Sequence, residues 1–162
     1  MSGGVAEEHA VRVADGLVRA DLRGVASHGV SRLEVYMKKF EGGGFNPSPD
    51  ISISSLGDAV SFVDADDGPG QSAAFTGMNE AMRLADQSGI GIASVTNSNH
   101  FGTAAYYTEH AASEGYLGIA MTNVGSDVIP YGGSKPFLGT NPISFSAPTD
   151  RDFSVTLDMA TS

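Results

Sequence analysis

His100 is the side chain of this sequence best placed for acid–base chemistry. It stands in IGIASVTNSNHFGTAA, after a strand-like run and before the start of a helix. Ligand sites of open α/β sheets gather at the carboxyl ends of strands, which is where this spacing puts it. The positive end of the following helix disfavours a second cation, so we expect a neutral imidazole that can take a proton from an alcohol. A capping or hydrogen-bonding histidine without chemistry is the alternative.

A second candidate lies in the segment SHGVSR. We predict that Ser27 caps a helix that runs through Phe40, with His28 in its first turn and Arg32 four residues later on the same face. An arginine binds a carboxylate through two parallel hydrogen bonds, and Gly29 leaves room for a ligand between the two side chains. The pair therefore suits a small carboxylic acid, although both residue types also occur at helix starts by chance.

The other polar motifs favour structural roles. His9 and His110 lie in predicted helices, where we expect a surface and a partly exposed histidine respectively. The run DADDG at 64–68 resembles a calcium loop but lacks the glutamate that ends one, so a solvated turn is expected. The sequence has no cysteine and no HExxH motif, and we assign no metal ligand. A metal hydrolase built on DADDG and His100 is the remaining metal-based alternative.

Hydrophobic periodicity predicts the elements that position these residues. Besides the helix that ends at Phe40, we expect helices over 6–20, 71–88 and 103–114, a hairpin around Gly57-Asp58, and strands in GIGIASV, LGIAMTN and ISFSAP and up to Asp158. This order predicts an α/β fold with a mixed sheet and flanking helices. We divide it into a helical segment over 1–50 and an α/β cofactor and substrate domain over 51–162. No GxGxxG follows a strand, so the usual dinucleotide fingerprint is absent.

Composition limits the class of protein. The 162 residues are 41% hydrophobic and 17% charged, which is typical of a globular chain, and the formal net charge is −10. A chain this acidic repels nucleic acid and anionic membranes, so neither is an expected partner. No apolar run is long enough to span a bilayer, and no charged-then-apolar leader opens the sequence. We therefore expect a cytoplasmic protein.

Five ordered motifs carry a specific family resemblance: RADLRGVASHGVSRL, SVTNSNHFGTAAYY, MTNVGSDVIPYGG, LGTNPISFSAP and LDMATS. Together they resemble the type 2 malate/L-lactate dehydrogenase family, which includes ureidoglycolate dehydrogenases, sulfolactate dehydrogenases and diketogulonate reductases. The resemblance implies a non-Rossmann fold and an NAD- or NADP-dependent oxidoreductase. It also implies hydride transfer to or from a small 2-hydroxy or 2-oxo acid such as malate or lactate, in a homodimer.

The same resemblance implies roles for individual residues. His28 and His100 would line the active site as proton donor and acceptor, and Arg32 would face the substrate carboxylate. His100 is the expected acceptor in alcohol oxidation, with His28 on the same oxygen or in the exchanged role. Five residues would contact the cofactor, and two more would contact substrate or cofactor. The first group is Asn123, Val124, Asp158, Met159 and Ala160, and the second is Thr140 and Asn141.

Members of the family usually begin with a further helix and continue well beyond DMATS. We therefore expect a truncated form, with about half of a typical member absent. A non-catalytic fragment that dimerises or binds a small acid is the alternative function. The residues that distinguish one 2-hydroxy acid from another, and NAD from NADP, are not assigned within these 162 positions.

Overall fold

The computed structural model describes residues 4–162 and places helices on both of its small sheets. The helices are α1 (Glu7–Leu22), α2 (Leu33–Glu41), α3 (Gly70–Ser88) and α4 (Ala105–Ser113). Two 3₁₀ turns, Ala26–His28 and Val30–Arg32, precede α2. The strands are β1 (Ser52–Ser55), β2 (Val60–Asp64), β3 (Ile92–Thr96), β4 (Gly118–Met121), β5 (Ile143–Ala147) and β6 (Val155–Met159).

The strands form two three-stranded sheets. In the first, β1 and β2 make the predicted antiparallel hairpin, and β3 lies parallel to β2 after the α3 crossover. In the second, β4, β5 and β6 are all antiparallel neighbours. The prediction of a mixed α/β fold is confirmed. The alternation of strand and helix does not continue one sheet, because β4 finds its partner in β5 rather than in β3.

The second helix differs from its prediction. Ser27 does not cap a helix, because the chain makes two 3₁₀ turns before α2 begins at Leu33. The Asp21 carboxylate accepts a hydrogen bond from the Val30 amide at 2.9 Å, which ties this connection to the end of α1. Gly29 between the two turns is extended, with φ −88° and ψ −156°. His28 and Arg32 therefore lie on separate turns, and the prediction of a shared helical face was wrong.

Helix α3 packs on the first sheet through small residues and one buried carboxylate. A Cβ at Gly77 would press into the Val95 side chain, so the missing side chain allows the helix to approach β3. Glu80 is buried, accepts a hydrogen bond from Ser61 Oγ at 2.7 Å and pairs with Arg83. The hydrogen bonds from Arg83 and Ser61 lower the pKa of Glu80 to about 2. The buried charge is thus matched by donors, as a buried carboxylate requires.

Helix α4 lies on the second sheet across a small polar face. Ser144 and Ser146 are buried beneath it, and both lie 2.8 Å from Thr108 Oγ1 of the helix. The opposite face carries larger apolar side chains, of which Met121 and Leu157 are exposed. Within residues 4–162, this apolar face of the sheet is therefore left open to solvent.

The N-terminal helices share a core of apolar side chains. It consists of Val13, Leu17, Tyr36, Phe40 and Phe45. His9 is only 8% exposed, so the expectation of a surface histidine was wrong. Since α1 also packs against α3 and α4, the proposed boundary at residue 50 stays a prediction. Among the described residues, no helix has both the length and the apolar character needed to cross a bilayer.

Candidate active site

The structure brings His28 and His100 into contact. His100 follows β3 and precedes α4, as predicted, while His28 ends the first 3₁₀ turn. Their rings are stacked with centroids 5.5 Å apart and an interplanar angle of 28°. Two imidazoles at this separation can both contact the same small molecule. Acid–base chemistry on that molecule is therefore possible beside the two rings.

The Nδ1 atom of His100 is enclosed by hydrogen-bonding groups. Tyr36 Oη lies 2.6 Å from it, and the Gly102 amide donates to it at 3.3 Å. Gln71 Nε2 in turn donates to Tyr36 Oη at 3.0 Å. Tyr36 and Gln71 are almost completely buried, at 2% and 1% exposed. The ring of His100 is therefore fixed from its Nδ1 side.

Close backbone approach makes this arrangement possible. A Cβ at Gly70, the first residue of α3, would overlap the backbone of Asn99 and His100. Asn99 Nδ2 anchors the same loop through Asp67 O and Gly68 O, at 2.7 and 3.1 Å. The start of α3 is thus held directly against the His100 loop, and the following residue, Gln71, is brought within reach of Tyr36.

His100 is neutral near pH 7, for reasons that differ in part from the expectation. Burial first, and then electrostatic repulsion by the basic side chains of His28, Arg32 and Lys39, lower its pKa to about 4. The amino end of α4 lies beyond Gly102, and its Ala105 amide donates to Asp158 Oδ2 at 2.9 Å. The direction predicted for the pKa is confirmed, and desolvation rather than the helix is its main cause.

His28 is the less buried of the two rings. Burial and the charge of Arg32 lower its pKa, while the carboxylate of Asp158 opposes them. Ser27 Oγ lies 3.0 Å from His28 Nδ1. The second ring nitrogen of His28 is therefore the one left for a ligand.

Arg32 provides the positive charge beside the two rings. Its Nε donates to Ser27 O at 2.8 Å, which holds the guanidinium against the turn that carries His28. Within residues 4–162 it forms no ion pair with a carboxylate. A half-buried guanidinium that forms no ion pair within the described residues can bind an anionic ligand.

Three segments that the family resemblance predicts to contact cofactor or substrate converge at one end of the strands of the second sheet. Asn141 Oδ1 accepts from the Val124 amide at 3.1 Å, and Thr140 O accepts from the Thr161 amide at 2.9 Å. Asn123 and Asn141 line a groove of about 440 Å³ at this end of the strands. Met159 and Ala160, at the end of β6, are exposed beside Thr161.

Asp158 lies near the end of β6, on the face of the second sheet that α4 covers. Its carboxylate accepts a hydrogen bond from the Ala105 amide at the start of α4. The negative charge of Asp158 also opposes the lowering of the His28 pKa. Of the assigned cofactor residues, Asp158 is therefore the one whose influence on the histidine pair is visible. It links the end of β6 to the entry of α4.

The remaining candidate residues lie elsewhere. Residues 64–67 form the expected turn, in which the Asp64 carboxylate accepts from the Asp66 amide and from Asn97 Nδ2. His110 is half-buried in α4, as expected, and its Nε2 lies 2.8 Å from Asn79 Oδ1. Among the described residues, no group of three or more His, Cys, Asp and Glu side chains is placed to hold a metal ion.

Sequence reasoning missed two polar residues of this site, Tyr36 and Gln71. Tyr36 fits the hydrophobic periodicity of α2, which favours a core role, although its position four residues after Arg32 places it one helical turn away. Gln71 looks like an ordinary residue at a helix start, and no pattern along the chain connects it with His100. Only the close approach at Gly70 makes that connection.

Comparison with known proteins places this geometry in a family. The family model for malate/L-lactate dehydrogenase matches residues 1–162. Malate dehydrogenase from Pyrococcus horikoshii is 49% identical over 98% of this chain, and ureidoglycolate dehydrogenase (NAD(+)) from Escherichia coli K12 is 39% identical over 98%. These matches cover 44% and 45% of the relatives, so the chain spans less than half of their length.

Solved structures agree with the sequence comparison. The structure of the Pyrococcus horikoshii malate dehydrogenase matches 99% of this chain with a TM-score of 0.93, and the match covers 46% of that protein. Sulfolactate dehydrogenase from Methanocaldococcus jannaschii matches 98% of this chain at 40% identity with a TM-score of 0.91, over 46% of its own chain. The fold described above is thus the corresponding part of these dehydrogenases.

Gly29 is required by packing rather than by a ligand. A Cβ there would overlap the Asp21 carboxylate, so the prediction that this glycine makes room for a ligand was wrong. We expect Gly29→Ala to lower the free energy of unfolding by about 1–3 kcal/mol, because the Asp21 carboxylate must rotate away and lose its hydrogen bond to the Val30 amide. Thermal and urea denaturation measure the loss. Gly125→Ala is the matched control, since a Cβ at Gly125 meets no atom within 4 Å. Equal stability of the two variants would contradict the prediction.

Proposed function

The chain belongs to the malate/L-lactate dehydrogenase family, and from that premise we propose that His28, His100 and Arg32 form the acid–base and carboxylate-binding part of an NAD(P)-dependent dehydrogenase of small 2-hydroxy acids. The observation that carries this proposal is the stacked histidine pair beside a guanidinium. Oxidation of a 2-hydroxy acid needs those two functions together: a base for the hydroxyl proton and a cation for the carboxylate.

Arg32 binds the substrate carboxylate in this proposal. Its Nε is engaged with Ser27 O, so the remaining N–H groups of its planar fork are directed to the ligand. This contact fixes the adjacent 2-carbon and its oxygen relative to the histidine rings. Orientation of this kind supplies much of the acceleration of a two-reactant step.

One of the two histidines exchanges the proton of the substrate oxygen. Both have a pKa below the ordinary histidine value, so both are neutral near pH 7 and one of them can accept the hydroxyl proton during oxidation. The other ring donates or accepts a hydrogen bond at the same oxygen. In the reduction of a 2-oxo acid the same proton returns to the oxygen.

A nicotinamide cofactor supplies the hydride acceptor in oxidation and the hydride donor in reduction. The groove at the end of the strands of the second sheet offers amide and hydroxyl groups of the kind that hold such a molecule. Asn123, Val124, Thr140 and Asn141 would hold it, together with the end of β6 at Asp158, Met159 and Ala160. Relatives named for NAD(+) and for NADP(+) support the cofactor class without selecting between the two.

The proposal concerns the whole protein, because the chain spans less than half of the relatives it matches. The substrate class rests on relatives named for malate, ureidoglycolate and sulfolactate. These acids share a carboxylate and an adjacent oxygen-bearing carbon, the two groups that Arg32 and the histidines would contact. The homodimer implied by the resemblance also stays a prediction.

A direct assay tests the activity. The longest available form of the protein is mixed with NADH or NADPH, and loss of absorbance is followed with pyruvate, oxaloacetate, sulfopyruvate and 2,3-diketogulonate. Ureidoglycolate is tested in the oxidative direction. We expect turnover of at least one acid with one cofactor. Absence of turnover with a chain that spans the length of the relatives would refute the dehydrogenase proposal, and binding of an acid without turnover would favour a non-catalytic acid-binding protein.

Replacement of His100 tests the acid–base role. We expect His100→Ala to lower kcat by about 10²–10⁴-fold, the range typical of a lost general acid–base group, with little change in cofactor affinity. Steady-state kinetics and a cofactor titration separate the two effects. His110→Ala is the matched control, because His110 binds Asn79 on α3 rather than the histidine pair. Unchanged turnover of His100→Ala would remove His100 from the reaction.

Replacement of Arg32 tests carboxylate binding. Arg32→Lys keeps the charge but loses the planar fork, so we expect KM for the acid to rise by about tenfold or more while cofactor affinity stays the same. Arg151→Lys, on an exposed loop, serves as the control. An unaltered KM for the acid would mean that another cation receives the carboxylate.

A further inference from the structure

The hydrogen bonds at His100 have a defined direction. A backbone amide can only donate, so the Gly102 N–H makes His100 Nδ1 an acceptor. Gln71 Nε2 also only donates, so Tyr36 Oη accepts from it and turns its own hydrogen toward His100 Nδ1 at 2.6 Å. Two donors, the Gly102 N–H and the Tyr36 O–H, thus point at Nδ1, and Gln71 sets the direction of the second.

This arrangement decides where a neutral imidazole carries its single proton. A proton on Nδ1 would face the Gly102 N–H and would have to reverse the Tyr36 hydroxyl. With Nδ1 accepting, the proton is on Nε2. Nε2 then donates a hydrogen bond and cannot accept a proton.

We propose that Tyr36 and Gln71 are positioning residues that hold neutral His100 with its proton on Nε2, so that His100 donates a hydrogen bond to the substrate oxygen and His28 exchanges the proton. This division of roles rests on the proposed function, and it selects the exchanged roles that the sequence-based expectation gave as the alternative to His100 as the acceptor. It makes His100 a neutral electrophile that stabilises charge developing on the oxygen.

The proton balance of the step follows from the same geometry. During oxidation the substrate O–H bond breaks and an N–H bond forms at Nε2 of His28, since Nδ1 of His28 faces Ser27 Oγ at 3.0 Å. The hydride leaves the 2-carbon for the nicotinamide cofactor, and the C=O bond forms with the electron pair of the broken O–H bond. His100 keeps its proton throughout. Reduction is the reverse, with the proton returning from the protonated His28.

Electrostatics agree with this division. The ring of His100 is more buried than that of His28, and His28, Arg32 and Lys39 all disfavour a positive charge on it. His28 is the ring influenced by the Asp158 carboxylate, which favours its protonated form. Of the two, His28 is therefore the ring better able to hold the transferred proton.

Nitrogen NMR tests the proposal without substrate or cofactor. In ¹⁵N-labelled protein, long-range ¹H–¹⁵N correlation spectra report which ring nitrogen of each histidine carries the proton. The signals of His100 are those that disappear in His100→Ala. We expect His100 with a protonated Nε2 and a bare Nδ1 from pH 6 to pH 8. A proton on Nδ1 in the unaltered protein would overturn the proposal and would indicate that the Gln71 amide is rotated.

Gln71→Glu reverses the chain of hydrogen bonds with little change of shape. In its ionised form the introduced carboxylate only accepts, so the Tyr36 hydroxyl turns to it and leaves Nδ1 of His100 facing an oxygen lone pair. We expect part of the neutral His100 to move its proton to Nδ1, and the His100 titration midpoint to rise by about one pH unit. In the whole enzyme, kcat/KM falls by about tenfold or more in both directions, because the wrong nitrogen is protonated.

Three variants complete the test. Tyr36→Phe removes the shorter of the two donors to Nδ1 and leaves only the Gly102 N–H at 3.3 Å, so part of the neutral His100 is expected to move its proton to Nδ1. This variant covers the case in which Gln71→Glu does not fold. Gln87→Glu on the exposed end of α3 and Tyr131→Phe on an exposed loop are the matched controls and leave the His100 signals unchanged. Unchanged His100 signals in both Gln71→Glu and Tyr36→Phe would overturn the positioning role.

The outcomes separate this inference from the dehydrogenase proposal. If the NMR result is as expected and no acid is turned over, the dehydrogenase proposal fails and the hydrogen-bond assignment stands. If an acid is turned over and His100 carries its proton on Nδ1, the dehydrogenase proposal stands and the division of roles fails. Folding of each variant is checked by circular dichroism before either result is interpreted.

Discussion

The hydrogen bond between Tyr36 and His100 is the contact on which the candidate site depends. It is short, at 2.6 Å, and it joins α2 of the N-terminal helices to the loop between β3 and α4. Tyr36 also belongs to the apolar core of the helices, so core packing holds its hydroxyl in position next to the His100 ring. A buried hydrogen bond of this kind is strong and directional, because little water competes for either group. Helix α2 and the loop after β3 therefore meet at His100 itself.

Small residues make that meeting possible. Gly70 lets the start of α3 lie against the backbone at His100, and Gly29 lets the connection that carries His28 lie on the Asp21 carboxylate. Each is a place where a single added carbon would separate two segments that contribute to one site. The glycines of this chain thus act through the close packing of backbone as much as through turns.

The second sheet has a polar face and an apolar face. Its polar face, with Ser144 and Ser146, lies under α4, and its larger apolar side chains are exposed within the described residues. Asp158 extends from this sheet to the amino end of α4 and influences His28. Asp158 thus links the second sheet to the start of α4 and lies close enough to His28 to oppose the lowering of its pKa.

The sequence by itself determined the order and type of the elements, the family, and the candidate residues His28, Arg32 and His100, because periodicity and short motifs are local properties. The tertiary structure alone decided that the strands form two sheets, that His28 and Arg32 lie on separate 3₁₀ turns, and that the two rings stack. It also decided the part played by Gln71 and the main cause of the low pKa of His100. These features depend on desolvation and on contacts between distant segments, and neither is encoded in the spacing of residues along the chain.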